Sequence, residues 1–179
     1  MGRYRYKAAV PAVTTGTTTA QTLWPMLQLP IDNIAKRFAE LEELMIGPAE
    51  APSDLSIRLQ LAVTSLANMP SGGTSMPDIG SGTAGVPLSL DPNVSRVSGV
   101  GDNASYRVEY QGGTPFGAAI ATYARKPLIT SFNHKYPLIL TKQDLKDIVW
   151  GPNEALFVEL AHESGSTAKI FNIDATWSE

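Results

Sequence analysis

The chain has 179 residues, with 14 Lys and Arg against 17 Asp and Glu and a formal net charge of −3. That length fits one domain with an ordinary hydrophobic core, and the balance of charge argues against a general attraction to nucleic acid. No cysteine is present, which excludes disulfides and thiolate metal centres, and no apolar run is long enough for a membrane helix.

Residues 1–20 read as an extended arm. Arg3, Tyr4, Arg5, Tyr6 and Lys7 alternate basic and aromatic side chains, and Pro11 and a Thr-rich tract follow. Such a segment has no core of its own, so it is expected to be either disordered or ordered on another subunit or an acidic partner surface, with those five residues as the contacts. No signal-peptide run follows the basic residues, which points to synthesis in the cytoplasm. The remainder, 21–179, reads as one domain. Gln21–Leu29 is an apolar strand with Pro25 at an edge or bulge.

Residues 34–46 are ambiguous. Ile34, Phe38, Leu41 and Met45 sit at helical spacing, whereas the same stretch also reads at period two. Ser56–Ser65 is unambiguous: Ile57, Leu59, Leu61 and Val63 share one face, and Arg58, Gln60 and Thr64 the other. Asn68–Asn103 is rich in Gly, Ser and Pro, with a short strand expected at Val86–Leu90. Ala104–Tyr110, Gly117–Tyr123 and Leu128–Phe132 read as further strands. Thr141 and Asp144 have the spacing of a capping box, so a helical turn is expected to run to Lys146. Asp147–Trp150 leads into a closing β-hairpin, Ala155–Ala161 and Thr167–Thr176, around the turn His162-Glu163-Ser164-Gly165-Ser166. The strand count and turn spacing predict an all-β fold: a two-sheet β-sandwich, jelly-roll-like, with an extended N-terminal arm.

Little in the chain carries chemistry. Gly80, Gly82 and Gly85 match a dinucleotide-binding pattern, but Pro87 stands where a helix must open. His134 and His162 lie beside turns and read as surface or interface residues; no Ser-centred elbow or His-Glu-x-x-His motif accompanies them. Glu40, Glu42 and Glu43, like Asp144 and Asp147, read as solvated or inter-subunit carboxylates. Asp91, Asn93, Asp102 and Asn103 offer oxygen ligands without EF-hand spacing. Asn93 and Asn103 begin glycosylation sequons that lack a secretory signal. No catalytic residue, cofactor or metal site is expected.

From Ala20 onward the layout resembles the small virion proteins of tailed phages and prophages, β-sandwich proteins of the head decoration, or cement, type. The resemblance rests on TTTAQTLWPMLQLP, then ELEELMIGP, SIRLQLAVTS, VPLSLDP, and the C-terminal GPNEALFVELAHESGSTAKIFNIDATWSE ending in Trp177 and Glu179. It favours the strand reading of 34–46. The region 110–146 and the basic arm depart from the pattern. The resemblance implies a homotrimer or another symmetric cluster bound to the major capsid protein on the exterior of the virion, bridging capsid subunits without catalysis, membrane or direct nucleic-acid contact. The alternative from composition is a carbohydrate- or receptor-binding jelly roll of a phage tail or spike, with Trp24, Trp150 and Trp177 as stacking platforms.

Overall fold

The computed structural model describes residues 4–15, 24–30, 38–80, 82–91, 108–162 and 167–179. The strands are β1 (Arg5–Thr14), β2 (Trp24–Pro30), β3 (Ala39–Pro48), β4 (Ser56–Ser65), β5 (Thr74–Ser75), β6 (Leu88–Ser89), β7 (Glu109–Tyr110), β8 (Arg125–Asn133), β9 (Leu138–Leu140), β10 (Val149–Trp150), β11 (Glu154–His162) and β12 (Ile170–Ser178). They form two antiparallel sheets. The first runs β10-β3-β12-β1-β6, with β9 also paired to β3; the second runs β5-β7-β2-β11-β4-β8. The fold is an all-β sandwich.

The alternation read from β4 places its apolar face inward. Ile57, Leu59, Leu61 and Val63 meet Leu156, Val158 and Leu160 of β11 and the inner face of the first sheet, where Leu41, Leu44, Ile46, Phe171, Ile173 and Trp177 are fully buried. Residues 39–48 are a strand; of the helically spaced residues Leu41 is buried, Phe38 and Met45 are exposed, and Ile34 lies outside the described residues. The register with β12 slips between Thr176↔Glu43 and Trp177↔Leu41. One extra residue changes the phase, so Leu41 and Leu44, three apart, both face inward.

The N-terminal arm requires correction. Residues 5–14 are β1, an interior strand of the first sheet between β12 and β6. Tyr6, Ala8, Val10 and Val13 enter the core. Pro11 is accommodated because the register slips between Val10 and Val13. There Ala12 adopts φ 53° and donates its N–H to Asn172 Oδ1 at 3.0 Å. Period two was visible in this segment; its partner, the last strand of the chain, lay 165 residues away and was not.

The closing hairpin is also corrected. β11 and β12 do not pair. β11 lies between β2 and β4 in the second sheet, and β12 between β3 and β1 in the first. The chain crosses the sandwich between them, and its last segments fill the centre of both sheets. Crossing is the rule here: β1, β2, β3 and β4 alternate sheets, β8 stays beside β4, β9 crosses back to β3, and β11 and β12 alternate again. With the two-residue strands left out, the order reads β1-β12-β3-β9 in one sheet and β2-β11-β4-β8 in the other.

Residues 117–123 are not a strand. They belong to a strap, 111–124, that covers the outer face of the second sheet. Phe116 stands edge-on to Phe157, with ring centroids 6.5 Å apart. Thr64 Oγ1 donates to Thr122 O at 2.7 Å. The strap runs close enough to 71–73 that a Cβ on Gly72, at φ 86°, would lie 2.6 Å from Pro115 O. The Thr141–Asp144 capping contact forms, with Asp144 Oδ2 accepting from Thr141 N and Oγ1 at 2.9 Å each. It closes turns rather than an α-helix, and these end at Asp147 with φ 67°.

Candidate functional site

Three polar constellations stand out. The first includes the residues expected to bind a partner. Arg3 lies outside the described residues. Tyr4 is half-buried, and its backbone exchanges hydrogen bonds with Glu179 at 3.0 and 2.9 Å. Tyr6 is 3% exposed and stacks 6.0 Å from Trp177. Arg5 and Lys7 project from the opposite, open face of the first sheet. Arg5 Nε donates to Glu42 Oε2 at 2.7 Å, and Lys7 Nζ lies 3.2 Å from Asp174 Oδ2. Lys142 completes the array, 3.4 Å from Glu42 and 3.5 Å from Glu40. Partial burial opposes ionisation of Glu42, yet the Arg5 hydrogen bond and the Arg5 and Lys142 charges hold its carboxyl below the ordinary range. The basic residues thus have acidic partners on β3 and β12.

Because Arg5 is half exposed, Arg5→Ala is expected to cost less than about 1 kcal/mol, and less still in high salt. Urea titrations at two ionic strengths check this.

The second constellation closes one end of the sandwich, where β1, β8 and β11 finish and β12 begins. His134 and His162 are 0% and 5% exposed, correcting the surface assignment. Nδ1 of His134 lies 3.2 Å from the Ser53 N–H that donates to it and 3.0 Å from Ser53 Oγ. That acceptor role places the ring proton on Nε2, which points to Glu50 Oε1 at 3.7 Å. The same Glu50 oxygen accepts from Ile170 N at 3.1 Å and faces Lys169 Nζ at 3.8 Å. Phe171 meets the His134 ring edge-on at 5.2 Å. His162 Nδ1 lies 3.0 Å from Thr15 Oγ1, which accepts Lys169 N–H at 2.8 Å. Serine, imidazole and carboxylate are therefore in contact, but the imidazole is sealed from solvent and its Nδ1 is shared with a backbone donor. The geometry suits an anchor tying the β3–β4 loop to β8 and β12.

Burial lowers the His134 pKa; Glu50 opposes that shift and Lys169 adds to it. The sign follows directly. Below about 6.5 the unfolded chain binds a proton that the folded chain resists. Stability is therefore lost as pH falls from about 6.5 to the folded-state value, then levels with respect to this group. His134→Gln should flatten that part of a urea-midpoint profile.

The third constellation lies under the strap. Glu159, 0% exposed, stands mid-strand in β11 on the outer face of the second sheet. Oε2 accepts from Gln60 Nε2 at 2.8 Å and Oε1 from Tyr123 OH at 3.0 Å. Lys126 Nζ sits 4.1 Å above the Tyr123 ring. Burial raises the Glu159 pKa, with the two hydrogen bonds and Lys126 opposing it. Burial and the adjacent carboxylate also hold the Tyr123 phenol well above its usual range.

Sequence reasoning missed Glu50, Ser53, Lys169, Gln60, Tyr123 and Glu159 as partners. For Glu159 the signal was present: a carboxylate at the centre of ALFVELA, an otherwise apolar run. Of the four oxygen-ligand candidates, Asp91 Oδ2 accepts Arg5 N–H at 2.6 Å; Asn93, Asp102 and Asn103 lie outside the described residues, as do both sequons. Among the described residues no three His, Cys, Asp or Glu side chains group as metal ligands. No family model matches the chain, and no curated protein matches it significantly.

Proposed function

We propose that the chain is a structural virion protein: a decoration, or cement, protein made in the host cytoplasm, seated as a homotrimer on the outside of a tailed-phage head, where it bridges copies of the major capsid protein. The observation that carries this reading is the interleaved strand order, β1-β12-β3-β9 against β2-β11-β4-β8. We read that order as a jelly roll, an architecture of viral capsid and lectin domains. Between those two uses, the tryptophans favour the first. Trp150 and Trp177 are fully buried, which removes them as sugar-stacking platforms; the Trp24 side chain lies outside the described residues.

The shell-facing surface is assigned to the open face of β3, β12 and β1, because the strap covers the opposite sheet. Its alternating Arg5, Glu42, Lys7, Asp174 and Lys142 suit a polar interface that sets register on a partner. A protein binding only the assembled shell stabilises it by mass action, and repeated sites add avidity.

Cryo-electron microscopy of phage particles tests the reading. Density for the sandwich outside the shell, with the β3-β12-β1 face inward, is the expected result. Particles whose exterior lacks the protein overturn it. Glycan arrays examine the carbohydrate alternative, and binding there at micromolar strength would transfer the assignment to a receptor-binding module.

A further inference from the structure

The second sheet ends at β8, a nine-residue strand with no neighbour on its far side among the described residues. The direction of its backbone groups follows from its flank. His134 N donates to Leu55 O at 2.8 Å, and the register continues through Phe132↔Ile57, Thr130↔Leu59 and Leu128↔Leu61. Even-numbered residues of β8 therefore bond β4. The other side of β4 agrees: Leu66 N bonds Asn153 O, which puts Gln60 and Glu159 in phase toward β11. Odd-numbered residues of β8 aim outward. Ile129 and Ser131 each present an N–H and a C=O. Pro127 presents a C=O alone. Asn133 presents an N–H, since its C=O accepts Tyr136 N–H at 3.2 Å. Ile129 is 51% exposed.

An edge of this kind is a template for another strand. We propose that its occupant is β8 of a second copy, antiparallel about a two-fold axis at Thr130. In that register Ile129 faces Ser131 of the other copy, and the two exchange both N–H···O bonds; symmetry repeats the exchange. Pro127 faces Asn133. The donor that proline lacks meets a carbonyl already engaged by Tyr136, and the Asn133 N–H meets the free carbonyl of Pro127. Centring on Ile129 leaves Ser131 C=O opposite a proline, and centring on Ser131 sets Ile129 N–H against the engaged Asn133 C=O. On the outer face the two Ile129 side chains become diagonal neighbours. The paired stretch 127–133 contains no charged residue; just beyond it Arg125 faces Lys135 of the other copy, and each already has an acidic partner, Glu154 and Asp54.

Contact along one short strand falls well below the roughly 20–30 residues a side of a stable interface. The dimer is therefore weak in free solution and strengthens when copies are held close. It does not depend on the shell-binding reading.

Because the chain has no cysteine, Thr130→Cys carries a single thiol. The non-hydrogen-bonded pair at the axis brings Cα atoms to about 4.5 Å, within disulfide range. Mild oxidation is expected to cross-link Thr130→Cys at least about ten times faster than the exposed control Ser71→Cys, by analogy with the effective-concentration gain of a paired site. Sedimentation of the wild type should show mass rising from monomer toward dimer with concentration, and Ile129→Lys should abolish the rise. Equal cross-linking rates at positions 130 and 71, or self-association unchanged by Ile129→Lys, overturns the seam. A trimer unaffected by Ile129→Lys does the same while leaving the decoration reading standing.

Discussion

Trp177→Ala is expected to lower folding stability by about 3–5 kcal/mol, the range for deleting a buried large aromatic. Trp177 is fully buried on β12, the strand that joins β1 to β3. Its ring centroid lies 6.0 Å from Tyr6 and 6.5 Å from Trp150, and Nε1 donates to Glu179 Oε1 at 3.1 Å. Removing it opens a cavity between the first, last and tenth strands at once and removes the hydrogen bond to Glu179. Few neighbours can collapse into the space, because each is fixed by its own backbone ladder. A loss of that size is a large fraction of the roughly 5–15 kcal/mol typical of a domain, so the denaturation midpoint of the variant should fall sharply. Chemical denaturation at 15 °C, read by near-ultraviolet circular dichroism, measures it. Trp150→Phe supplies the contrast: Trp150 Nε1 is buried with no hydrogen-bond partner among the described residues, so losing that donor is less costly than losing the Trp177 donor. A Trp177→Ala midpoint within error of wild type would remove the central role assigned to the last strand.

The contrast between the two ends of the chain shows how far its residues disclosed the fold. β4 was legible because its alternation runs unbroken from Ile57 to Val63. β3 was ambiguous because the bulge at Glu42–Glu43 shifts the inward phase between Leu41 and Leu44, so no single period-two alternation runs through the strand. β1 displayed its alternation, but Arg5 and Lys7 read as free charges until Glu42 and Asp174 were brought beside them. At the C-terminal end the turn after His162 could be placed, yet nothing local says whether a turn closes a hairpin or crosses between sheets. That choice depends on which strands already flank the site. Here β2 and β4 wait for β11, and β1 and β3 for β12. The buried histidines illustrate the same limit: a polar neighbourhood along the chain says nothing of Phe171 and Glu50 closing over His134. The strap escaped because Gly117–Tyr123 has the composition of a strand whose small residues pack closely. In the structure Gly117, Ala118 and Ala121 are exposed, and the strap is held through Phe116, Ile120 and Thr122 O.

The carboxylate beneath that strap gives the second large effect. Glu159→Ala is expected to cost about 2–4 kcal/mol, because the Gln60 amide and the Tyr123 hydroxyl would lose their acceptor in a dry site and a small void would remain. Glu159→Gln should behave differently: it keeps a carbonyl acceptor and fills the volume while removing the charge. The sign of its pH dependence can be worked out. The Glu159 pKa is raised in the folded protein, so between the unfolded value, about 4.3, and the folded value the native state holds a proton that the unfolded chain has released. The contribution of this carboxyl is therefore greatest in acid and is lost as pH rises through the folded value. Above the folded value the wild type carries a buried negative charge, compensated by Gln60, Tyr123 and the nearby Lys126, that the glutamine variant does not. Relative to wild type, Glu159→Gln should gain stability progressively as pH rises from about 4.3 to the folded value of Glu159, and the difference should then level. Taking the difference cancels the opposing losses from His134, Glu42 and Glu154, whose pKa values are all lowered and whose contributions fall away in acid. Paired urea titrations across that range decide the matter. A difference that shrinks with rising pH, or an alanine variant as stable as the glutamine one, would mean that Glu159 is solvated and that the strap does not seal the outer face of the sheet.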